Sequence, residues 1–303
     1  MKKLPGIKQL QYLIALHHHQ HFGRAAEASF ISQSTLSAAI ANLEDILDAQ
    51  LLERDHKTFM FTALGNLVVA KSRVVLAQLD ELLEEVQNQR NPMAGTVRLG
   101  CIPTIAPFVL SDIVTQVNKN YPQLQLLLRE DTSDNLLQAL SDGQIDLLLL
   151  ALPYETSAFH IEYLAKDAFK LIMHKALKGD VYDKDIDFWP DNSIFLLERE
   201  HCLTGHTLQV CHIKNNKKIH PFYATSLHTL TQMINSKLGV TFLPQMAINK
   251  GILAATELVY QPPASANAYR EIGLAWRRTS HRQQCYQLLA ALIKEVLALA
   301  CNE

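Results

Sequence analysis

The chain has 303 residues, of which 48% are hydrophobic and 19% charged, and its formal net charge is −2. This composition is typical of a folded chain of two or three domains, and it excludes a disordered or collagen-like protein. No apolar run approaches the ~18 residues of a membrane span, and no signal-peptide core opens the sequence, so a cytoplasmic protein without membrane contact is expected.

The five cysteines are odd in number and form no Cys-x-x-Cys pair, which argues against an extracellular disulfide framework and against a zinc finger. Cys101, Cys285 and Cys301 fall at a strand end or in the C-terminal helix, and a structural role is assigned to them. His17 and His21 stand at i and i+4 and could share a metal ion. No thiolate or carboxylate lies nearby in sequence, so a solvated helix end is favoured and no metal or cofactor is expected.

Apolar periodicity in the first sixty residues predicts two short helices joined by a tight connection. The second helix carries an apolar stripe at steps of three and four residues, formed by Leu36, Ile40, Leu43 and Leu47. Ser32 precedes the stripe as an N-cap, and the alanine-rich stretch 22–29 forms the helix before it. Helices so joined are a helix-turn-helix candidate, and 51–61 is expected to form a hairpin. Six basic and six acidic side chains balance over residues 1–62, so DNA binding rests on pattern rather than on net charge.

A long helix is predicted over 62–89. Its heptad-like seam consists of Val68, Val75, Leu79, Leu82 and Val86. Such a seam can pack on its own domain or on a second copy of the chain, and dimerisation is favoured because the rest of the helix becomes polar toward its end. The segment 91–95, Asn-Pro-Met-Ala-Gly, breaks the helix and is interpreted as a hinge.

Strands and helices alternate after residue 96. The predicted strands are 97–102, 124–130, 145–151, 169–173, 194–197, 240–243 and 272–276, and the predicted helices are 107–118, 133–141 and 283–299. The first five elements form a βαβ pattern, which predicts an α/β domain with a parallel sheet.

The residues around the predicted helix-turn-helix resemble those of the LysR-type transcription regulators. The matching residues are His21-Phe22-Gly23-Arg24-Ala25-Ala26-Glu27, Ser32-Gln33-Ser34-Thr35-Leu36-Ser37, Ile40, Leu43-Glu44 and Leu51-Leu52-Glu53-Arg54. The resemblance implies a mainly α winged helix-turn-helix domain over 1–62, a linker and dimerisation helix over 63–92, and a regulatory domain over 93–303. The regulatory domain is expected to be α/β, with two Rossmann-like subdomains as in periplasmic binding proteins, over about 93–165 with 269–303 and about 166–268.

The same resemblance implies a regulator rather than an enzyme. Its partners would be double-stranded promoter DNA, RNA polymerase and further copies of the chain, as a homodimer through the linker helix and then a homotetramer. Short hydroxyls and an amide at the front of the second helix can bond phosphates and base edges, and cations on the wing can reach phosphates or the minor groove. The expected DNA-binding residues are Arg24, Ser32, Gln33, Ser34, Thr35, Ser37, Arg54 and Lys57.

A candidate redox pair lies in the second half of the chain. Cys202 follows His201 in a charged, polar segment, and a neighbouring histidine can favour the thiolate that attacks oxidants. Cys211 follows nine positions later, in what is expected to be a loop that can close into a disulfide. Taken by themselves, these residues are compatible with a redox pair and equally with two inert thiols in a loop.

Several segments resemble the peroxide-sensing branch of the LysR-type regulators, the OxyR proteins. They are Gly100-Cys101-Ile102-Pro103-Thr104, Glu200-His201-Cys202-Leu203 with Cys211, and Gly273-Leu274-Ala275-Trp276-Arg277. The resemblance implies an activator of the oxidative stress response in which hydrogen peroxide oxidises Cys202 and Cys211 resolves it as a disulfide. It also implies a peroxide pocket formed by Thr104, Ser133, His201 and Arg277, with serine at 133 where the family usually has threonine. Arg277, a permanent cation, is expected to depress the pKa of Cys202.

Two other functions are compatible with parts of the sequence. A regulator of the same family could bind a small-molecule effector between its subdomains, where Thr104, Ser133 and Thr225 would line the cleft. A thiol peroxidase or cysteine hydrolase would use the same cysteine, but no partner motif for turnover is present and the helix-turn-helix would be unexplained.

Overall fold

A computed structural model describes residues 4–54, 59–88, 91–179, 181–183, 186–211, 213, 215–265 and 268–302. The chain divides into two compact units. The first comprises Met1–Gln89 and Ser141–Gln144, and the second Arg90–Leu140 and Ile145–Glu303.

The first unit is a small helical domain with a two-stranded wing. Its elements are α1 (Ile7–His19), α2 (Phe22–Ala28), α3 (Gln33–Leu47), β1 (Leu52–Arg54), β2 (Phe59–Phe61) and α4 (Ala63–Asn88). Leu13 and Leu16 of α1 are fully buried against Leu36, Ile40 and Leu43 of α3, as the periodicity predicts, and Leu47 at the end of the stripe is half-buried. β1 and β2 pair antiparallel, and the tip between them, with Lys57, lies outside the described residues.

The long helix α4 matches the predicted bounds to within one residue at each end. Of the predicted seam, Val75 and Leu82 are exposed at 43% and 54%, whereas Val68 and Leu79 are half-buried. The side chain of Val86 lies outside the described residues. Dimerisation through this face stays a prediction.

The second unit is a mixed sheet covered by helices. Its strands are β3 (Gly95–Cys101), β4 (Leu124–Glu130), β5 (Leu147–Leu152), β6 (Phe159–His174), β7 (Ile194–Leu197), β8 (Ile219–Ala224), β9 (Val240–Pro244), β10 (Leu258–Gln261) and β11 (Tyr269–Arg277). Its helices are α5 (Ala106–Asn120), α6 (Ser133–Ser141), α7 (Cys202–Val210), α8 (Leu227–Asn235), α9 (Gln245–Asn249) and α10 (Gln283–Cys301). The strand order is β4-β3-β5-β11-β6-β9-β7-β8, and β10 pairs with β6.

Two long strands join the halves of this sheet. β3 pairs parallel with β4 and β5, as the βαβ pattern predicts, and every residue of β5 is buried, as expected for a strand covered on both faces. β11 then runs antiparallel to both β5 and β6, and β6 continues into the second half, antiparallel to β9 and β10. The α/β fold class is confirmed, whereas the predicted strand at 169–173 covers only the last part of β6. The predicted subdomain limits near 165 and 269 fall within β6 and at the start of β11, and the subdomain division stays a prediction.

Helix α10 is long and apolar enough to pass a length-and-composition test for a membrane span. Half of it is buried inside the protein, where Tyr286, Leu289 and Ile293 join the core. The core helix of a folded domain can be equally long and apolar, and the burial of α10 favours this interpretation over a membrane span. Cys101 and Cys285 are buried, in keeping with structural roles.

Candidate functional site

The front of α3 presents a cluster of exposed polar side chains. Ser32 is the N-cap, and its Oγ accepts a hydrogen bond from the Thr35 amide at 3.1 Å. The same oxygen lies 2.9 Å from the hydroxyl of Ser34 and 2.7 Å from that of Thr35. Because Leu36 and Ile40 are buried on the other face, the helix must turn Gln33 and the hydroxyls outward. This surface can meet phosphates and base edges.

The other predicted DNA-binding residues are less closely grouped. Arg24 is exposed on α2, and Ser37 is half-buried on α3. Arg54 ends β1, but its side chain, like Lys57, lies outside the described residues. The roles of these residues on DNA stay predictions. The described residues contain no cluster of histidine, cysteine or carboxylate side chains that could hold a metal ion.

The second site forms where β3 and β4 end. Thr104 follows β3, and Ser133 follows β4 as the first residue of α6, so the carboxyl ends of two adjacent parallel strands bring both hydroxyls to one edge of the sheet. Both residues are 2% exposed. The Ser133 hydroxyl lies close enough to the Cys202 thiol to lower its pKa, so the start of α6 and the start of α7 meet at this site.

A buried ion pair forms the floor of this site. Arg270 and Asp167 face each other across β11 and β6, and both side chains are fully buried. The Arg270 Nε donates to the carboxylate at 3.0 Å. Its Nη1 donates to the Thr104 hydroxyl at 2.8 Å, and Nη2 to the Thr104 carbonyl at 3.0 Å. The guanidinium is therefore held in one position, close enough to Cys202 for its charge to act on the thiol.

The structure places Arg277 elsewhere. It lies seven positions after Arg270 on β11, which is about 23 Å along a strand. Its Nη1 donates to the carbonyls of Leu140 and Ile145 at 2.9 and 2.6 Å, and it is ion-paired with Asp146. The arginine beside Thr104 and Cys202 is Arg270, so the prediction of Arg277 as the pocket cation is corrected.

The strand alternation carries a signal that would have identified Arg270. It shares the buried face of β11 with Ile272 and Leu274, whereas Arg277 has the opposite parity. A charged residue at a buried position of a strand needs a partner and marks a site.

Cys202 begins a helix rather than a loop. Residues 202–210 form α7, with His201 as the N-cap residue, so the expected loop between the cysteines is wrong. The Thr204 hydroxyl donates to the Leu197 carbonyl at 2.8 Å, and the His201 Nε2 lies 3.1 Å from the Thr225 carbonyl. These side-chain bonds hold a short helix that its glycine and threonines would not stabilise locally.

Burial raises the pKa of the Cys202 thiol, and this effect outweighs the lowering by Ser133 and Arg270. The expected depression of this pKa is therefore wrong in direction. Cys211 is 4% exposed at the other end of α7, and burial raises the pKa of its thiol to about 12. It lines a cavity of about 110 Å³ together with Trp189 and Phe242.

Both thiols are free, and α7 separates them. Nine helical steps from Cys202 to Cys211 span about 13 Å, whereas a disulfide requires Cα atoms about 4.4–6.8 Å apart. Bond formation therefore needs α7 to unwind.

Two further side chains near Cys202 were not predicted from the sequence. The Tyr154 hydroxyl donates to the Asp134 carboxylate, and Tyr154 lies close enough to Cys202 for their charges to interact. His206, one turn after Cys202, is buried, with Nε2 at 2.9 Å from the Pro153 carbonyl. Predicting a helix at 202–210 would have placed His206 on the Cys202 face, whereas no sequence signal identifies Tyr154.

Comparisons with known proteins cover both units. A family model described as LysR substrate binding domain matches residues 90–298, and one described as bacterial regulatory helix-turn-helix protein, lysR family, matches residues 7–66. The chain is 36% identical over 298 residues to the HTH-type transcriptional regulator EstR of Acinetobacter baylyi, covering 98% of this chain and 99% of the relative. It is 34% identical over 293 residues to the DNA-binding transcriptional dual regulator OxyR of Escherichia coli, covering 95% of each.

Solved structures are similar over the same regions. The reduced regulatory domain of OxyR2 from Vibrio vulnificus is 48% identical, with a TM-score of 0.65, over 67% of this chain and 96% of that domain. A full-length OxyR variant from Pseudomonas aeruginosa is 28% identical, with a TM-score of 0.75, over 96% of this chain and 98% of its own. A hydrogen-peroxide-bound OxyR variant from Corynebacterium glutamicum is 27% identical, with a TM-score of 0.64, over 99% of this chain and 96% of its own.

Proposed function

The chain belongs to the LysR family of DNA-binding transcription regulators, and on that premise we propose that it senses hydrogen peroxide and controls an oxidative stress response. One observation carries the proposal. The Cys202 thiol lies beside the Ser133 hydroxyl and within reach of the fixed Arg270 cation, and Cys211 lies at the far end of the same short helix. Relatives named hydrogen peroxide-inducible genes activator add support.

The chemistry needs only peroxide and the two thiols. Cys202 sulfur attacks one peroxide oxygen, the S–O bond forms and the O–O bond breaks. The thiol proton goes to the departing oxygen, which leaves as water, and the sulfur is oxidised by two electrons to a sulfenic acid. Cys211 sulfur then attacks the sulfenic sulfur, a second water leaves, and the Cys202–Cys211 disulfide remains. Thr104 and Ser133 offer hydroxyls to hold the peroxide, and His201, the residue before Cys202, would complete the pocket.

The disulfide is the switch in this proposal. Since α7 has to unwind before the thiols meet, oxidation would remodel the segment that contacts Leu197, Pro153 and Thr225. That change would alter how copies of the regulatory unit pair, and so the spacing of the DNA-reading helices.

At the promoter, we propose that the polar front of α3 enters the major groove. Gln33 would contact base edges there, and phosphates or bases would be contacted by Ser32, Ser34, Thr35 and Ser37. Arg24, Arg54 and Lys57 would contact the backbone or the minor groove. The assembly would be a homodimer through α4 and then a homotetramer, acting with RNA polymerase in the cytoplasm. Because each DNA-binding unit is nearly neutral, multiple copies would supply affinity that falls steeply with salt.

A second candidate is a regulator whose signal is a bound small molecule. The raised pKa of Cys202 favours it, because a thiol that holds its proton reacts slowly with oxidants. In that case Thr104, Ser133 and Thr225 would line the effector cleft.

The test compares the wild-type regulator with the double variant C202S/C211S on its promoter DNA. The sensor proposal predicts that peroxide changes the footprint of the wild type and leaves that of the double variant unchanged. A double variant whose footprint still changes with peroxide would contradict the proposal. Loss of all DNA binding in the reduced double variant would mark a folding defect, which thermal unfolding checks, and C211S alone then provides the comparison.

A further inference from the structure

His206 is a buried histidine with one nitrogen unused. Its side chain lies on α7, and the residue is 6% exposed. The Nε2 atom lies 2.9 Å from the Pro153 carbonyl oxygen, which can only accept, so Nε2 carries the proton. In the neutral ring Nδ1 is then an acceptor. Burial lowers the pKa of His206, which keeps the ring neutral at physiological pH.

The Nδ1 atom of His206 is buried and has no hydrogen-bond partner in the described part of the chain. Native proteins leave few buried polar atoms unpaired, because such an atom has lost its water without gaining a donor. An unpaired acceptor at this depth therefore points to a small donor molecule that the protein takes up.

The position of His206 relates it to the reactive thiol. It follows Cys202 by four residues on α7, so the two side chains lie on the same helix face with Cβ atoms about 5–6 Å apart. Arg270 acts electrostatically on both side chains, and its guanidinium is fixed by Asp167 and Thr104. Cys202, His206 and Arg270 thus surround one interior region.

We propose that His206 is a peroxide-binding residue, whose Nδ1 accepts a hydrogen bond from the O–H of the peroxide oxygen that Cys202 attacks. This inference rests on the proposed function. Hydrogen peroxide both donates and accepts hydrogen bonds, which suits a site with the Thr104 and Ser133 hydroxyls on one side and an acceptor on the other. His206 neither gains nor loses a proton. The S–O bond forms, the O–O bond breaks, and the thiol proton leaves with the departing oxygen as water.

Two substitutions separate the functions of the two ring nitrogens. In H206N the amide oxygen sits near the place of Nδ1, so the acceptor is retained and the bond to Pro153 is lost. In H206Q the amide nitrogen reaches the place of Nε2, so the bond to Pro153 is retained and the acceptor at the δ position is lost. Both are made in full-length protein with C211S, which isolates the first oxidation step.

Two rates are measured for each protein by mass spectrometry. One is sulfenic acid formation at Cys202 by hydrogen peroxide, trapped with dimedone. The other is alkylation of Cys202 by iodoacetamide, which reports the availability and accessibility of the thiolate without peroxide binding. The proposal predicts that H206Q lowers the ratio of peroxide rate to alkylation rate by roughly three- to tenfold, the effect of one hydrogen bond. H206N should keep the ratio within about twofold of the C211S parent.

A ratio that is unchanged in H206Q would overturn the proposal, because His206 would then act only on helix structure or thiol acidity. In that outcome a peroxide-reactive parent still leaves the sensor function standing. A parent whose Cys202 does not react with peroxide would overturn both proposals.

Discussion

Gly205 lies in the middle of α7, and its replacement by alanine should stabilise the reduced protein against the disulfide form. A Cβ atom added at this glycine meets nothing within 4 Å, so the substitution introduces no clash. Alanine is favoured over glycine in a helix interior by about 0.8–1.0 kcal/mol. Since α7 has to unwind before Cys202 and Cys211 can bond, only the reduced state gains this energy. The reduction potential of the Cys202–Cys211 disulfide should therefore become less negative by about 20 mV. This corresponds to about a fivefold change in the equilibrium constant between the dithiol and the disulfide.

The assay equilibrates G205A and wild type in glutathione redox buffers and measures the disulfide fraction by thiol alkylation and mass spectrometry. The matched control is H228A, which raises helix propensity at an exposed position of α8, a helix that contains neither cysteine. The midpoint of G205A should move to a less negative potential while that of H228A stays with the wild type. An unchanged midpoint in G205A, or one shifted to more negative potential, would refute the claim that α7 unwinds on oxidation.

Three further perturbations test the structural account. R270M leaves the Asp167 carboxylate buried without its cation and should lower the free energy of unfolding by about 3–5 kcal/mol, whereas R270M/D167L should recover most of it. Urea unfolding followed by the fluorescence of the two tryptophans, both in the second unit, measures this, and equal stability of R270M and wild type would contradict it. S32A removes the N-cap of α3 and should destabilise the first unit by about 1 kcal/mol, while S37A, which caps nothing, should not; amide hydrogen exchange compares them. Because folding raises the pKa of Cys202, its thiolate fraction at a given pH is smaller than in the unfolded chain. Iodoacetamide should therefore alkylate native Cys202 more slowly at pH 7, with the rate rising at higher pH than for the urea-unfolded chain.

The helices of the first unit were predictable because the apolar periodicity and the N-cap residue indicate the same helix bounds. The apolar stripe of α3 faces Leu13 and Leu16, and Ser32 caps the helix, so local preference and burial favour the same structure. The parallel β3-β4-β5 arrangement followed from the βαβ pattern in the same way, since short connections leave few alternatives.

The chemistry around Cys202 was only partly predictable. Thr104 and Ser133 lie at one edge of the sheet, with the Ser133 hydroxyl beside the thiol. The peroxide-binding role that the family resemblance implies for them stays a prediction. Arg270 was missed because its partner Asp167 is 103 positions away and because the family resemblance directed attention to Arg277, although the parity of Arg270 with Ile272 and Leu274 marks it as the buried arginine of β11. Helix α7 was missed because nine residues with a central glycine have weak local preference, and bonds to Leu197 and Pro153 stabilise it.

The measurement that tests the central claim most directly is disulfide mapping by mass spectrometry on the full-length protein treated with graded hydrogen peroxide. The account predicts a Cys202–Cys211 bond in the wild type at low peroxide, and a sulfenic acid trapped at Cys202 in C211S. A Cys202 that stays unmodified at peroxide concentrations that oxidise free cysteine would contradict it, and would leave a LysR-family regulator whose signal is a bound small molecule.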